Sequence, residues 1–420
     1  MDILYTTCAG LDVHKDSVSV CVRRPGRDGK TATALREFST MTEDILRMGD
    51  WMAAQGVTHV AMESTGVYWK PIWNLLEHRF ELMLCNARDV KNVPGRKTDM
   101  RDCQWLAHLH QHGLLRPSFI PPKPQRELRD LTRHRAQLTS ERTRAANRIA
   151  KTLEDANIKL GSVASDILGK SGRLMLKAIS DGEEDPCVLA DLAQRRLRAK
   201  IPALKKALQG AAGDHHRYML RLLLDHVDYL DKAILGIEER IDLIMANIHE
   251  DGALPFDEAV QLLCTIPGFD KRTAQSVLAE IGTDMAPFPS ANHLASWAGV
   301  CPGNNQSAGK RKSGASTHGN RWLKRALSQA SWAASRAKNT YVAEQFRRLA
   351  HRRGRKRAIV AVSNTLLTIV YHLLEQRTVY QDLGAEYFDT ITPERRVRHY
   401  TKQLEKLGFN VTLEPKEVAA

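Results

Sequence analysis

The first 120 residues alternate short apolar stretches with amphipathic ones. Residues 8–13 and 17–22 flank a polar turn, and the second stretch alternates polar and apolar positions, so together they predict a β-hairpin. Strands that alternate with helices after an opening hairpin indicate an α/β layer domain. The further elements that the pattern predicts are strands at 36–39, 57–63 and 81–86 and helices at 42–55 and 68–76.

The centre of the chain has helical periodicity. Residues 125–156 combine an apolar stripe with many basic side chains, and residues 220–248 carry apolar positions at alternating spacings of three and four. Such a helix buries its stripe against a partner, so we expect an antiparallel coiled-coil arm through which the chain associates into a dimer or tetramer. The heptad positions are Leu220, Leu223, Val227, Leu230, Ile234, Ile237, Ile241, Ile244 and Ile248.

The C-terminal part is predicted to be mostly helical. Residues 259–265 and 271–281 flank a tight turn, and this arrangement is either a helix-hairpin-helix-like element or a plain αα-hairpin. The fold class is therefore α/β followed by all-α. The predicted division is 1–120 for an α/β domain with an acidic cluster, 121–250 for a basic helix and coiled-coil arm, 251–390 for a C-terminal domain and 391–420 for a helical tail.

The charge balance indicates a polyanionic partner. The 420 residues include 62 Lys and Arg against 48 Asp and Glu, a net charge of +14, which favours nucleic acid. Fifteen basic residues lie between Lys310 and Arg357, where Glu344 is the single acid. The seven cysteines form no Cys-x-x-Cys pair, and no run of about 18 apolar residues occurs, so we expect a cytoplasmic protein without membrane contact.

Four acidic residues stand where the pattern predicts element ends. Asp12 and Glu63 end predicted strands, whereas Asp99 and Asp102 lie three residues apart at a predicted helix start and so share one helix face. Acids that end apolar strands are costly unless they face solvent or a cation, and four oxygen ligands suit Mg²⁺ or Mn²⁺. The alternative is that each acid is a turn or cap residue.

A second candidate site is the polar, glycine-rich stretch 304–316. It contains three serines, Ser307, Ser313 and Ser316, beside a cluster of basic residues. A serine in such a loop is usually only a loop residue, but basic groups around a hydroxyl suit attack on a phosphate. The candidate nucleic-acid-binding residues are Lys310, Arg311, Lys312, Arg321, Lys324 and Arg325, with Arg129 and Arg133 from the central basic helix.

The order of these motifs resembles one family of insertion-sequence transposases, the recombinases guided by a bridge RNA. The resemblance rests on the motifs Gly-Leu-Asp12-Val-His-Lys, Ala-Met-Glu63-Ser-Thr-Gly and Lys-Thr-Asp99-x-x-Asp102, and on the serine loop followed by Gly319-Asn320. The resemblance implies an RNase H/RuvC-like N-terminal domain and a C-terminal transposase domain.

The same resemblance implies the chemistry. Asp12, Glu63, Asp99 and Asp102 would be the metal-binding acids, and Ser307 would attack target and donor DNA to give a phosphoserine link. A structured non-coding RNA would guide the reaction, and the serine and the acids of one site can come from different protomers. Ala308 stands where the family commonly has glycine after the serine, so Ser313 and Ser316 remain alternative nucleophiles.

Two other functions are compatible with the same residues. The first is a metal-dependent endonuclease of the Holliday-junction resolvase type, which uses the acids and forms no covalent intermediate. The second is a non-catalytic nucleic-acid scaffold, in which none of the four acids matters for activity. Substitution of Ser307 distinguishes the first alternative, and substitution of Asp12 or Asp102 distinguishes the second.

Overall fold

The computed structural model describes residues 2–26, 30–64, 66–91, 93, 101–248, 252–303, 305–307, 310–388 and 393–413, with the backbone alone at 88–89, 305–307, 311–313, 393–396 and 399. The chain forms two compact units, Met1–Pro121 and Pro122–Ala420. The first unit is mixed α/β and the second is largely helical, which confirms the predicted fold class at this level.

The first unit is built on a five-stranded sheet. Its strand order is β3-β2-β1-β4-β5, in which β1, β2 and β3 are antiparallel neighbours and β1, β4 and β5 are parallel neighbours. The strands are β1 Cys8–Val13, β2 Ser17–Pro25, β3 Thr31–Ser39, β4 His59–Glu63 and β5 Glu81–Cys85; the helices are α1 Thr42–Ala54, α2 Trp69–Leu76, α3 Ala87–Lys91 and α4 Asp102–Gln111.

The two faces of this sheet are covered by different helices. One face buries Leu11, Val20 and Met62 against α1 and α2. The other face receives α4, whose backbone comes so close to Gly10 that a Cβ there would lie 2.4 Å from the amide nitrogen of Ala107. Because any side chain at Gly10 would push α4 off the sheet, this glycine fixes the position of α4.

The second unit contains the remaining helices and a small hairpin. Two long helices, α5 and α10, are joined to a set of shorter ones. The helices are α5 Lys123–Asp155, α6 Leu160–Val163, α7 Lys170–Ser180, α8 Pro186–Asp191, α9 Ile201–Ala207, α10 Asp214–Asn247, α11 Phe256–Cys264, α12 Lys271–Ile281, α13 Ala291–Ala298, α14 Arg321–Ala334, α15 Tyr341–Arg353, α16 Arg355–Gln376 and α17 Pro393–Lys406; a 3₁₀ helix spans Arg195–Lys200, and the hairpin strands are β6 Asn305–Ser307 and β7 Lys310–Ser313.

Helices α5 and α10 pack antiparallel along most of their length. Arg142 of α5 forms an ion pair with Asp231 of α10, and one end of the pair brings Asp155 to His216 with 3.0 Å between Oδ2 and Nε2. Seven of the nine predicted heptad positions are buried, and Ile237 and Ile244 are half-buried. The apolar stripe therefore has an intramolecular partner, as the spacing predicts.

The segment 160–212, to which the sequence assigns no chemistry, encloses one end of this helix pair. Leu176 and Leu204 from its short helices join Ile149 of α5 and Leu223 of α10 in one apolar cluster. Burying these large aliphatic side chains contributes on the order of 2 kcal/mol each. The segment is thus a helical cap that stabilises the end of the long pair.

The turn between α11 and α12 faces the protein interior. Gly268, with φ of 89°, lies against α14 so closely that a Cβ would be 2.4 Å from the carbonyl oxygen of Ala330. Asp270 caps α12, because its Oδ1 accepts the amide hydrogen of Thr273 at 2.8 Å. These contacts describe an αα-hairpin packed on α14, the plainer of the two arrangements that the sequence allows.

In the part of the chain that the structure describes, α16 is the one helix long and apolar enough to cross a membrane. Of its most apolar window, 56% is buried inside the protein. Val362, Leu366 and Val370 are completely buried in the helical unit, so the apolar character of α16 is that of a core helix.

Candidate functional site

Asp12 and Glu63 lie side by side at one edge of the sheet. Strands β1 and β4 are parallel with Leu11 opposite Met62, so the next residue of each strand is an acid at the same level. Alternation places both acids on the face that α4 covers: Cys8 and Gly10 of β1 contact α4, and Ala61 of β4 packs with its apolar residues.

Helix α4 brings Asp102 to the same edge. Its C-terminal half lies beside the start of β1, where the Cys8 thiol is 3.6 Å from the carbonyl oxygen of Ala107. Its first turn lies beside the end of β1, where burial and the Asp12 carboxylate both raise the pKa of the Cys103 thiol. Asp102 opens the helix and is exposed, at the end where the helix dipole favours a carboxylate.

The donor set at this edge consists of carboxylate oxygens. Burial raises the pKa of the Cys21 thiol on the neighbouring strand β2 to about 12, so this thiol is protonated at neutral pH. His14 contacts Asp12, with 3.3 Å from Nε2 to Oδ2. An oxygen-rich set of this kind fits a hard divalent cation better than zinc.

The fourth predicted acid, Asp99, lies outside the described residues. Among the residues whose positions are described, no group of three His, Cys, Asp or Glu side chains is close enough to hold a metal ion. The structure therefore brings Asp12, Glu63 and Asp102 to one edge and one face of the sheet without drawing them into a closed cage. Such an open edge leaves coordination positions for a phosphate oxygen.

The predicted serine loop contains the β6–β7 hairpin. Ser307 is the last residue of β6 and pairs with Lys310, the first residue of β7. The base of the hairpin is closed where the Gly303 amide donates to the carbonyl oxygen of Ala315 at 3.0 Å, and Pro302 pairs with Ser316. A short hairpin with a fixed base holds its end residues in a defined place.

Two glycines cross where the loop enters and leaves the helical core. Gly299, with φ of 74°, and Gly319 are so close that a Cβ on Gly319 would lie 2.3 Å from the carbonyl carbon of Ala298 and from the Gly299 amide nitrogen. Neither position has room for a side chain. The ends of the serine loop are therefore held against each other.

A buried carboxylate anchors the exit of the loop. Glu280 of α12 is 1% exposed and accepts two 2.7 Å hydrogen bonds from Arg133 of α5. Its Oε2 also accepts a hydrogen bond from the Asn320 Nδ2 at 2.7 Å, while the Asn320 Oδ1 caps α14 through the amides of Trp322 and Leu323. Glu280 thus joins α5, α12 and the start of α14.

Three of the predicted nucleic-acid-binding arginines are engaged inside the protein. Arg129 donates to the Ala279 carbonyl at 3.1 Å and pairs with Glu280, and burial lowers its pKa to about 10 although Glu280 raises it. Arg133 pairs with Glu280 as described, and Arg325 donates to Ser140 of α5 at 3.0 Å. These contacts show that the three arginines hold α5 against α12 and α14, and their role in nucleic-acid binding stays a prediction.

The other predicted nucleic-acid-binding residues lie at or near the loop. Lys310 and Arg321 are exposed, and Lys324 approaches Ser316, with 3.4 Å from Nζ to Oγ. The side chains of Arg311 and Lys312 lie outside the described residues.

The role of Glu280 was not predicted from the sequence. Its only signal there is an acid on the apolar side of a predicted helix.

Substitution of Glu280 by alanine is expected to destabilise the helical unit strongly. It would leave Arg129 and Arg133 without their carboxylate partner, and breaking a buried ion pair in this way costs roughly 3–5 kcal/mol of unfolding free energy. Chemical denaturation followed by circular dichroism measures the loss. The matched control is Glu344→Ala, which removes more exposed pairs with Arg347 and Arg348 and should cost about 1 kcal/mol or less. Equal losses in both variants would contradict the structural role of Glu280.

Comparison with known proteins places both candidate sites in matched regions. A family model described as a transposase, of the Asp-Glu-Asp-Asp type, matches residues 9–158, which include all four acids. A second model, described as the transposase IS116/IS110/IS902 family, matches residues 260–347, which include Ser307.

Individual relatives agree with these matches. The chain is 25% identical over 325 residues to the insertion element IS110 uncharacterized 43.6 kDa protein of Streptomyces coelicolor, covering 71% of this chain and 76% of the relative. It is 26% identical over 295 residues to the transposase for insertion sequence element IS1111A of Coxiella burnetii, covering 69% and 70%. It is 34% identical over 118 residues to the pilin gene-inverting protein of Moraxella bovis, covering 27% and 36%.

These matches define a transposase, an enzyme that cleaves and rejoins DNA. More particularly, the chain belongs to the IS110/IS116/IS902 family of insertion-sequence transposases, which confirms the resemblance found in its sequence.

Proposed function

We propose that the protein excises and inserts a mobile element through a covalent DNA–serine intermediate, supported by Mg²⁺ and guided by a structured RNA. The observation that carries the proposal is the meeting of Asp12, Glu63 and Asp102 at one edge and on one face of the sheet. Carboxylates that share one edge and one face repel one another, and a cation bound there would offset that repulsion.

Ser307 is the proposed nucleophile. Its Oγ forms a bond to the phosphorus of a DNA phosphodiester and gives up its proton, while the bond from phosphorus to the 3′ oxygen breaks and that oxygen leaves with a proton. The reverse reaction with another 3′ hydroxyl rejoins the strands. Lys310 in this loop and Arg321 just after it are exposed, so their positive charges could stabilise the negative charge that develops on the phosphate.

Asp12, Glu63 and Asp102, together with Asp99, would hold the cation. A bound Mg²⁺ would supply charge neutralisation at the scissile phosphate and at the leaving oxygen. The chain's own contribution is to fix two of these acids on rigid strands and one at the first turn of a helix seated on Gly10. Supports of this kind keep ligand positions within a narrow range.

The finer features of the fold belong to the same proposal. The central strand β1 pairs parallel with β4 and antiparallel with β2, and Asp12 and Glu63 lie near the ends of β1 and β4. This arrangement supports an RNase H/RuvC-like fold for the first unit. The packing of α5 on α10 at heptad spacing supports a coiled coil. Exposed basic residues from Arg352 to Arg357 offer a surface for DNA and for the guide RNA.

Trapping the covalent complex tests the proposal. The purified chain is incubated with Mg²⁺, RNA transcribed from the flanks of its element and labelled target DNA, then denatured and examined for label on protein. We expect label that depends on Mg²⁺. Cleaved DNA without label on protein would favour the second candidate, the resolvase-type endonuclease, which the acid cluster alone could also support.

Self-association is expected to depend on the outer face of α10. Leu222, Tyr229 and Leu243 are each more than half exposed at intervals of seven or fourteen residues, on the side away from α5. Replacing all three by glutamine is expected to convert a dimer or tetramer to a monomer in light scattering, since exposed apolar stripes promote association. The same three-site replacement at the exposed polar positions Asp225, Lys232 and Glu239 should change nothing. If light scattering shows that the wild-type chain is a monomer both with and without nucleic acid, the expected self-association is contradicted.

A further inference from the structure

A large cleft opens beside the base of the serine hairpin. Its volume is about 1030 Å³, and it lies between the hairpin base on one side and helices α15 and α16 on the other. The hairpin contributes Pro302 and Ser316 to the wall, the same two residues that pair to close the hairpin. A ligand in this cleft would therefore touch the segment that carries Ser307.

The rim of the cleft is cationic. Arg353 ends α15, Lys356 and Arg357 lie in the first turn of α16, and all three side chains are exposed. None of the described residues that line the cleft is acidic. Three cations without an opposing carboxylate suit the phosphates of a nucleic-acid strand, and the N-terminus of the 22-residue helix adds to the positive potential.

The interior of the cleft combines apolar walls with a hydrogen-bond acceptor. Leu349 and Val360 supply apolar surface. Gln345 donates through Nε2 to the Thr365 hydroxyl at 2.9 Å, while its Oε1 is buried and, among the residues described, has no hydrogen-bond partner. An unpaired buried acceptor costs free energy, and because Gln345 lines the cleft, a rotation of its side chain would present this oxygen to a ligand that carries an N–H group.

Phosphates at the rim, a flat apolar body between the walls and an N–H group at Gln345 together describe a nucleotide. We propose that the cleft takes an unpaired deoxynucleotide of the DNA strand that Ser307 attacks, which rests on the proposed function. DNA is favoured because the serine hairpin itself forms one wall. Pro302 and Ser307 are five residue steps apart and so at most about 17 Å, which places the captured nucleotide within about five base-pair steps of the scissile phosphate.

Taking a base out of the helix costs a few kcal/mol, and least when the base is already unpaired. The test therefore uses short DNA duplexes that each carry one unpaired 2-aminopurine, at successive distances from the cleavage position. We expect one position to change its emission when the protein binds. The measurement is made on the Ser307→Ala chain as well, because binding of the base needs no cleavage.

Three substitutions probe the cleft, two in its interior and one at its rim. Gln345→Met removes the acceptor and should abolish the emission change at that position, and Val360→Trp, which fills the space between the walls, should do the same. Arg357→Gln should weaken DNA binding and lower the slope of log affinity against log salt concentration by about one, because one phosphate contact is lost. The control is Arg240→Gln, an exposed arginine of α10 that does not line the cleft, for which both the emission change and the salt dependence should persist.

The outcomes separate the inference from the proposed function. No responding position, or a response that survives both Gln345→Met and Val360→Trp, overturns the inference even when the covalent adduct forms. An equal response with an RNA duplex of the same sequence overturns the assignment to DNA. A response of the expected kind in a wild-type chain that forms no adduct supports the cleft and contradicts the covalent serine intermediate instead.

Discussion

Replacing Ser307 by alanine is expected to abolish the DNA–protein adduct. Alanine lacks the Oγ that would bond to phosphorus, and removing an enzyme's nucleophile typically lowers the rate by about 10⁴-fold or more. The β6–β7 pairing uses backbone groups, so the hairpin and the fold should be unaffected. Label on denatured protein measures the adduct, and DNA binding measured in parallel should stay within about twofold of the wild type.

The two other serines of the loop are the matched controls for this prediction. Ser313 ends β7, and Ser316 pairs with Pro302 and contacts Lys324 at the base of the hairpin. Alanine at either position should leave adduct formation largely intact. If Ser316→Ala removes the adduct and Ser307→Ala does not, the nucleophile is Ser316, and Lys324 then lies beside the reacting hydroxyl.

Replacing Asp12 by asparagine is expected to lower DNA cleavage by about 10²- to 10⁴-fold, because it removes one anionic ligand at a site where metal charge stabilises several kcal/mol of transition state. Glu63→Gln should have a similar effect, since Glu63 stands beside Asp12 on the neighbouring strand. Calorimetry should show that Asp12→Asn and Glu63→Gln bind Mn²⁺ or Mg²⁺ more weakly than the wild type. Circular dichroism of the same samples should be unchanged, which attributes the lost cleavage to the cation and not to unfolding.

Asp16→Asn is the control for the acid cluster. Asp16 lies four residues from Asp12 in the exposed turn of the same hairpin, where its backbone carbonyl accepts a hydrogen bond from the Thr40 amide. The Asp16→Asn protein should cleave DNA and bind the cation like the wild type. Wild-type activity in Asp12→Asn and Glu63→Gln would return these acids to the role of turn and cap residues and would favour the non-catalytic scaffold.

Local elements were predictable because each depends on a pattern within a few residues. The hairpin of β1 and β2, the helix Thr42–Ala54 and the long helices α5 and α10 all agree with the sequence-based bounds to within a few residues at most ends. The buried heptad positions of α10 were predictable for the same reason, because a periodic apolar stripe must find a partner. The third strand is longer than predicted, Thr31–Ser39 against 36–39, since polar residues fill the exposed positions of this edge strand.

Long-range pairing was not predictable from these patterns. Nothing near Asp12 or Glu63 in the sequence states that β1 and β4 are parallel neighbours, although that pairing is what makes the two acids adjacent. For Arg129 and Arg133 the local pattern is visible and the partner is not. A helix rich in cations predicts phosphate contacts, and only the fold shows that both arginines contact the end of α12, about 150 residues away, where Glu280 lies. A buried ion pair leaves no local signature, because its two halves lie in separate elements.

The crossing of Gly299 and Gly319 makes the loop between them an interchangeable cassette. The two ends touch each other, so the backbone leaves and re-enters the core at the same two positions whatever the length of the segment between them, provided that Val300 stays buried and Cys301 keeps its contact with Asn364. Closing a longer loop costs only about 0.6 kcal/mol for each doubling of its length. Evolution, or a protein engineer, can therefore exchange the serine-bearing segment between relatives at these two glycines, and so alter reactivity or target contacts without redesigning the helical core.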